Sequence, residues 1–254
     1  MFRRIYGYIL TRTAKRGYWG DWYYKERYLK VLKSLLRFCK HDGFIILDVG
    51  CGLGIYGKLL SKYYLKFFYV GLDINKKTLT SANRGHNINY IMCDAQKLPI
   101  LKSSVEISLC SEILEHLSSP YKALADICEV TKNAIIITFP EEKLLSIFRD
   151  RHPEHISEIN ERIILRTLKS KGFKIIGVHQ IFTSFIPCGI PEFLNIPRNF
   201  YIENMLKAID RVLKKIIPSR FAPHKTILIE AKRKDLKQNG QTHSFIIRRK
   251  VTST

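Results

Sequence analysis

The stretch Ile45-Ile46-Leu47-Asp48-Val49-Gly50-Cys51-Gly52-Leu53-Gly54 runs from an apolar, β-branched strand into a turn with glycine at every second position. Glycine reaches positive φ without steric cost and carries no Cβ, so such a turn lets the main chain pass close to a ligand. Open α/β sheets bind small molecules there, beyond the carboxyl end of a strand. The stretch therefore reads as a cofactor turn rather than a plain tight turn that only caps a helix. By itself it does not choose the cofactor. Gly52-x-Gly54-x-x-Gly57 satisfies the dinucleotide fingerprint, and Asp73 follows about 20 residues on, where that fingerprint places an acid for the ribose.

Outward from this turn the chain alternates short β-branched runs with longer amphipathic stretches, the pattern of β-α-β units around a mostly parallel sheet. Strands are expected at 44–49, 67–72, 88–93, 105–110, 134–139, 173–181 and 226–231, and helices at 22–39, 55–64, 76–83, 120–131 and 156–171. In the last helix Ile159, Ile163, Ile164 and Leu168 fall at helical spacing. A doubly wound α/β fold with seven strands and helices on both faces is the expected architecture. With 254 residues, 46% of them apolar, the chain can bury one large core.

Three parts are expected: a basic, aromatic N-terminal segment and helix at 1–40, a cofactor domain at 41–231 and a basic, mobile tail at 232–254. Within the domain, 182–218 reads as a helical insertion. It opens with a Pro-punctuated aromatic stretch and continues as a helix bearing Ile202, Met205, Leu206, Ile209, Leu213 and Ile216. The apolar runs are far shorter than the roughly 20 residues needed to span a bilayer, and no export signal is read at the N-terminus.

Two further segments separate the cofactors. Cys93-Asp94-Ala95-Gln96-Lys97-Leu98-Pro99-Ile100 follows the third strand, and Leu109-Cys110-Ser111-Glu112-Ile113-Leu114-Glu115-His116-Leu117 follows the fourth. Taken with Asp48-x-Gly50-x-Gly52-x-Gly54 and Asp73, in this order, they resemble the class I S-adenosylmethionine-dependent methyltransferases, in particular the ubiquinone/menaquinone-biosynthesis-like (methyltransferase type 11) group. The resemblance is good over about residues 22–139. It implies the strand order 3-2-1-4-5-7-6 and S-adenosyl-L-methionine as cofactor. It also implies that Gly50, Cys51, Gly52 and Gly54 wrap the methionine part, Asp48 orients its ammonium group, Asp73 meets the ribose and Asp94 receives the adenine, with Ile74 and Ala95 among the cofactor-binding residues. Cys110 would border the transferred methyl. Leu53 and Ile55 take positions that are often small or polar in relatives.

A sulfonium already carries a good leaving group, so methyl transfer needs positioning and exclusion of water, and no metal is expected. An oxygen or nitrogen acceptor would gain from a general base. His152 and His155, in Arg151-His152-Pro153-Glu154-His155, are the candidates, placed after the fifth strand on the ligand side of the sheet. His116 reads rather as a packing or capping residue.

The cysteines are scattered without C-x-x-C spacing, so neither zinc nor disulfides are expected, and a cytoplasmic protein, peripheral at a membrane at most, fits them. The net charge of +21 is concentrated: eleven Lys/Arg against two acids in 1–40, seven against two in 198–225, seven against one in 232–254. Between 41 and 197 the count is eighteen against sixteen. A small-molecule or lipid-like acceptor, an anionic membrane surface met by the 182–218 helix, RNA bound by the basic termini with their Tyr and Trp residues, and a non-catalytic scaffold all stay open.

Overall fold

The computed structural model describes residues 20–39, 42–63, 66–141, 155–184, 200–218, 222 and 224–234. The sheet carries all seven expected strands: β1 (Phe44–Val49), β2 (Phe67–Asp73), β3 (Ile88–Met92), β4 (Val105–Ser111), β5 (Thr131–Glu141), β6 (Phe173–Ser184) and β7 (His224–Arg233). Their order is β3-β2-β1-β4-β5-β7-β6. All neighbours pair in parallel except β7, which runs antiparallel to both β5 and β6. The helices are α1 (Gly20–Phe38), α2 (Ile55–Tyr63), α3 (Lys76–Thr80), α4 (Pro120–Val130), α5 (Glu161–Ser170) and α6 (Phe200–Ile216), with a single 3₁₀ turn at Leu114–His116.

Side chains alternate across a strand, so a sheet buried on both faces needs near-continuous apolar strands. Ile46 and Phe44 join one core with Val31, Leu32 and Leu35 of α1 and Leu59 and Leu60 of α2. Leu47 and Val49 join the other, against Ala123, Leu124 and Ile127 of α4 and Ile164 and Leu168 of α5. Parallel strands joined by crossover helices leave every β1 to β4 loop of the same kind at one end of the sheet, and that end carries the site.

Two helices differ from the sequence reading. The helix expected from 156 starts at Glu161, because the Asn160 side chain accepts the Arg162 amide and caps it there. The preceding residues spend their amides elsewhere: Ile156 N and Ser157 N both donate to the Glu115 carbonyl, 3.0 Å each. The helix expected over 76–83 ends at Thr80, and Asn83 instead donates its amide and Nδ2 to the Leu53 carbonyl. Between β6 and β7, α6 supplies the inserted helix. The start of the N-terminal segment, the aromatic stretch before α6 and the tail from 235 lie outside the described residues.

Candidate active site

The glycine turn is held against the end of β2. Gly50 N and Cys51 N both donate to the Leu72 carbonyl at 2.8 Å, and Gly52 N donates to Asp73 Oδ2 at 2.9 Å. Gly50, Gly52 and Gly54 all have positive φ, between 52° and 73°. Two of them are crowded by side chains: a Cβ on Gly50 would lie 2.7 Å from Ile113 and one on Gly54 would collide with the Tyr90 hydroxyl. At Gly52 a Cβ would meet nothing within 4 Å, so this glycine faces open space at the carboxyl end of β1.

Asp73 ends β2 with Oδ1 accepting Asn75 N at 2.8 Å, while Asn75 in turn caps α3 through its side chain. Each carboxylate oxygen keeps a second lone pair, which is the capacity a ribose diol needs. Beside it Ile74 is 71% exposed, a large apolar side chain held in solvent at the strand end. Asp94 sits in a turn whose Gln96 amide donates to Oδ1 at 2.9 Å. Gln96 Oε1 accepts Ser118 Oγ at 2.8 Å and Ser119 N at 2.9 Å, which ties the loop after β3 to the start of α4. Ala95 is buried.

Asp48 is 1% exposed and accepts a hydrogen bond from the Tyr69 hydroxyl on Oδ2. Burial raises its pKa from 3.8 to about 7; the Tyr69 bond opposes this and the neighbouring Asp73 charge adds to it. Burial likewise pushes the thiols of Cys51 and Cys110 upward, so neither is a thiolate at neutral pH. Cys110 lies wholly within the α4-side core, and a contact from it to a ligand could come only from its main chain. The five cysteines among the described residues are free thiols.

The loop after β4 holds what the sequence reading missed. Glu112 has φ 54° and forms a 2.5 Å ion pair with Arg27 of α1, both side chains largely buried. Tyr28 and Tyr56 meet edge-on at 5.3 Å, and Tyr56 Oη is 3.1 Å from Ser111 Oγ, so α1 is fastened to the carboxyl end of β4. His116 meets His155 edge-on with ring centroids 4.9 Å apart, next to buried Glu115. The adjacent pair Glu115-His116 was visible in the sequence; that a histidine 39 positions later returns to it was not. His152 lies outside the described residues.

The strand order, the glycine turn and the two acids at successive strand ends define a Rossmann-like, cofactor-binding α/β protein of the methyltransferase type. Residues 47–138 match the family described as "Methyltransferase domain". This domain match and the relatives named below support a class I S-adenosylmethionine-dependent methyltransferase domain similar to those of the ubiquinone/menaquinone-biosynthesis-like group. It is 22% identical over 194 residues to an uncharacterized protein of Methanocaldococcus jannaschii, covering 73% of this chain and 78% of that one. It is 26% identical over 173 residues to a ubiquinone biosynthesis O-methyltransferase of Coxiella burnetii, covering 66% of this chain and 63%, less than two thirds, of that one. Among solved structures, Haemonchus contortus phosphoethanolamine N-methyltransferase 2 in complex with S-adenosyl-L-methionine superposes with a TM-score of 0.61 at 18% identity, covering 91% of this chain and 56% of that chain.

Proposed function

We propose that this chain moves a methyl group from S-adenosyl-L-methionine to a small-molecule or lipid-like acceptor by in-line displacement. The observation that carries the reading is the convergence of a three-glycine turn, Asp73 and Asp94 at the carboxyl ends of three adjacent parallel strands, with exposed Ile74 between the acids. In this reading Asp73 takes the ribose hydroxyls, Ile74 covers the adenine face, and Asp94 with Ala95 meets the adenine edge. Gly50, Cys51, Gly52 and Gly54 wrap the methionine part, whose ammonium is balanced by Asp48. The cofactor supplies the sulfonium leaving group when bound. The chain's own residues fix its orientation and leave the acceptor to approach from the turn after β4, where His116 and His155 stand.

The lipid-like character of the acceptor draws on α6. Met205, Ile209, Val212 and Ile216 recur at helical spacing on one face and are 43% to 72% exposed. The opposite side is docked: Asp210 is buried and pairs with Lys214 at 2.8 Å, and both charges act on Glu26 of α1. Arg211 and Lys215 follow one side of the exposed stripe, charges that a helix resting on an anionic bilayer would use. The Coxiella relative's name points to an oxygen acceptor. Among the described residues no helix is long and apolar enough to cross a membrane.

The test is incubation of the full chain with methyl-labelled S-adenosylmethionine and fractionated extract. Label in the lipid or small-molecule fraction supports the reading. Label in RNA would transfer the assignment to the basic termini, and no label in any fraction, with the cofactor bound, would leave a scaffold.

A further inference from the structure

We propose that Glu115, His116 and His155 form a binding site for one divalent transition-metal ion of the zinc or manganese kind. A carboxylate oxygen and one nitrogen from each imidazole all lie within 4.8 Å of one another. Ligands bonded at about 2.1 Å to a shared ion lie at most about 4.2 Å apart, so small side-chain rotations close the cluster. Glu115 is 2% exposed and the two histidines are half-buried, so the carboxylate sits at the base and the imidazoles toward solvent.

The backbone holds these three side chains together independently of any contact between them. Glu115 and His116 belong to the 3₁₀ turn after β4, and His155 opens the loop that crosses it. That loop is pinned by Ile156 N and Ser157 N on the Glu115 carbonyl and by Ser157 Oγ on the Leu117 carbonyl at 2.6 Å. Further along, Asn160 N donates to Tyr121 Oη at 2.8 Å. Two segments distant in sequence thus present ligands from a fixed frame, and the edge-on packing of the imidazoles leaves their ring nitrogens near one another.

The donor set selects the metal. Two imidazole nitrogens and one carboxylate oxygen, without thiolate, suit zinc, manganese, iron(II) or cobalt(II); magnesium and calcium prefer all-oxygen shells. Three protein ligands leave at least one coordination position open. If the methyl-transfer reading holds, on which this clause rests, an acceptor oxygen at that position would be deprotonated more readily by the metal's charge. This departs from the expectation, drawn from the sequence, that no metal takes part.

The test uses the full chain freed of metal by chelation. Calorimetry with Zn²⁺ is expected to show one ion per chain with micromolar or tighter affinity, and Co²⁺ to produce visible ligand-field absorption. His155→Ala and Glu115→Gln should each weaken binding at least tenfold while melting cooperatively. Mg²⁺ at millimolar concentration should not displace Zn²⁺. Absence of stoichiometric Zn²⁺ or Co²⁺ binding by the wild type, or equal binding by both folded variants, would overturn the proposal; displacement by Mg²⁺ would overturn the choice of metal. S-adenosylmethionine titrated in parallel separates the two readings, since cofactor binding without metal sinks this site alone and metal binding without cofactor sinks only the methyl-transfer reading.

Discussion

Replacing Asp48 by Asn should make the cofactor-free protein more stable and the cofactor complex weaker. Burial among the β1 and β2 side chains raises the Asp48 pKa from 3.8 to about 7. In the unfolded chain the carboxyl ionises near 3.8, so between about pH 4 and 7 the folded state holds a proton that the unfolded state has lost. Unfolding then releases a proton, and the Asp48 contribution to stability falls as pH rises through that window. Above it the folded protein carries a buried carboxylate that costs about 4 kcal/mol relative to the neutral group. Asparagine keeps an acceptor for Tyr69 and cannot ionise. Allowing for imperfect pairing of its NH₂ group, Asp48→Asn should stabilise the free protein by about 2–3 kcal/mol at pH 8, a rise of roughly 4–12 °C in Tm. At pH 4 the difference should shrink to within about 1 kcal/mol. In the proposed site the cofactor ammonium pairs with the ionised carboxylate, so wild-type affinity for S-adenosylmethionine should rise with pH through about 7. The variant should bind about ten- to a hundredfold more weakly, without that rise. Thermal melts and calorimetry across pH read both. A variant less stable than wild type at pH 8, with the same deficit at pH 4, would refute the burial argument.

Asp73→Ala removes the acceptor of Gly52 N and Asn75 N as well as the proposed ribose contact; cofactor affinity should drop at least about tenfold by calorimetry, with lower Tm. Breaking the largely buried Arg27–Glu112 pair by Arg27→Ala should destabilise the fold by about 3 kcal/mol in denaturant titration, because removing one partner of a buried ion pair is costly. Ile209→Glu, on the exposed face of α6, should abolish sedimentation with anionic vesicles at low salt and leave Tm within a few degrees; unchanged sedimentation would remove the membrane role of that face.

Legibility in the sequence followed locality. The turn from Asp48 to Gly54, Asp73 and Asp94 could be placed because each sits where a β-branched run stops, and a strand end is set by neighbouring residues. The same logic gave all seven strands. It misplaced the start of α5, since Ile156 and Ile159 fit the helical period while their segment is committed to hydrogen bonds with the turn after β4. No period relates Glu112 to Arg27 or His116 to His155, because these pairs arise only when separate loops meet at one end of the sheet. The exposed stripe on α6 was visible as apolar spacing, but which face α1 covers depends on the buried Asp210 and its neighbours.

The most direct measurement is a calorimetric titration of the purified full chain with S-adenosylmethionine and, separately, with NAD and NADH. Binding of one S-adenosylmethionine per chain, weakened by Asp73→Ala and with no heat from either dinucleotide, is the predicted result. Binding of a dinucleotide at this turn, or unchanged S-adenosylmethionine affinity in the Asp73 variant, would contradict the cofactor site.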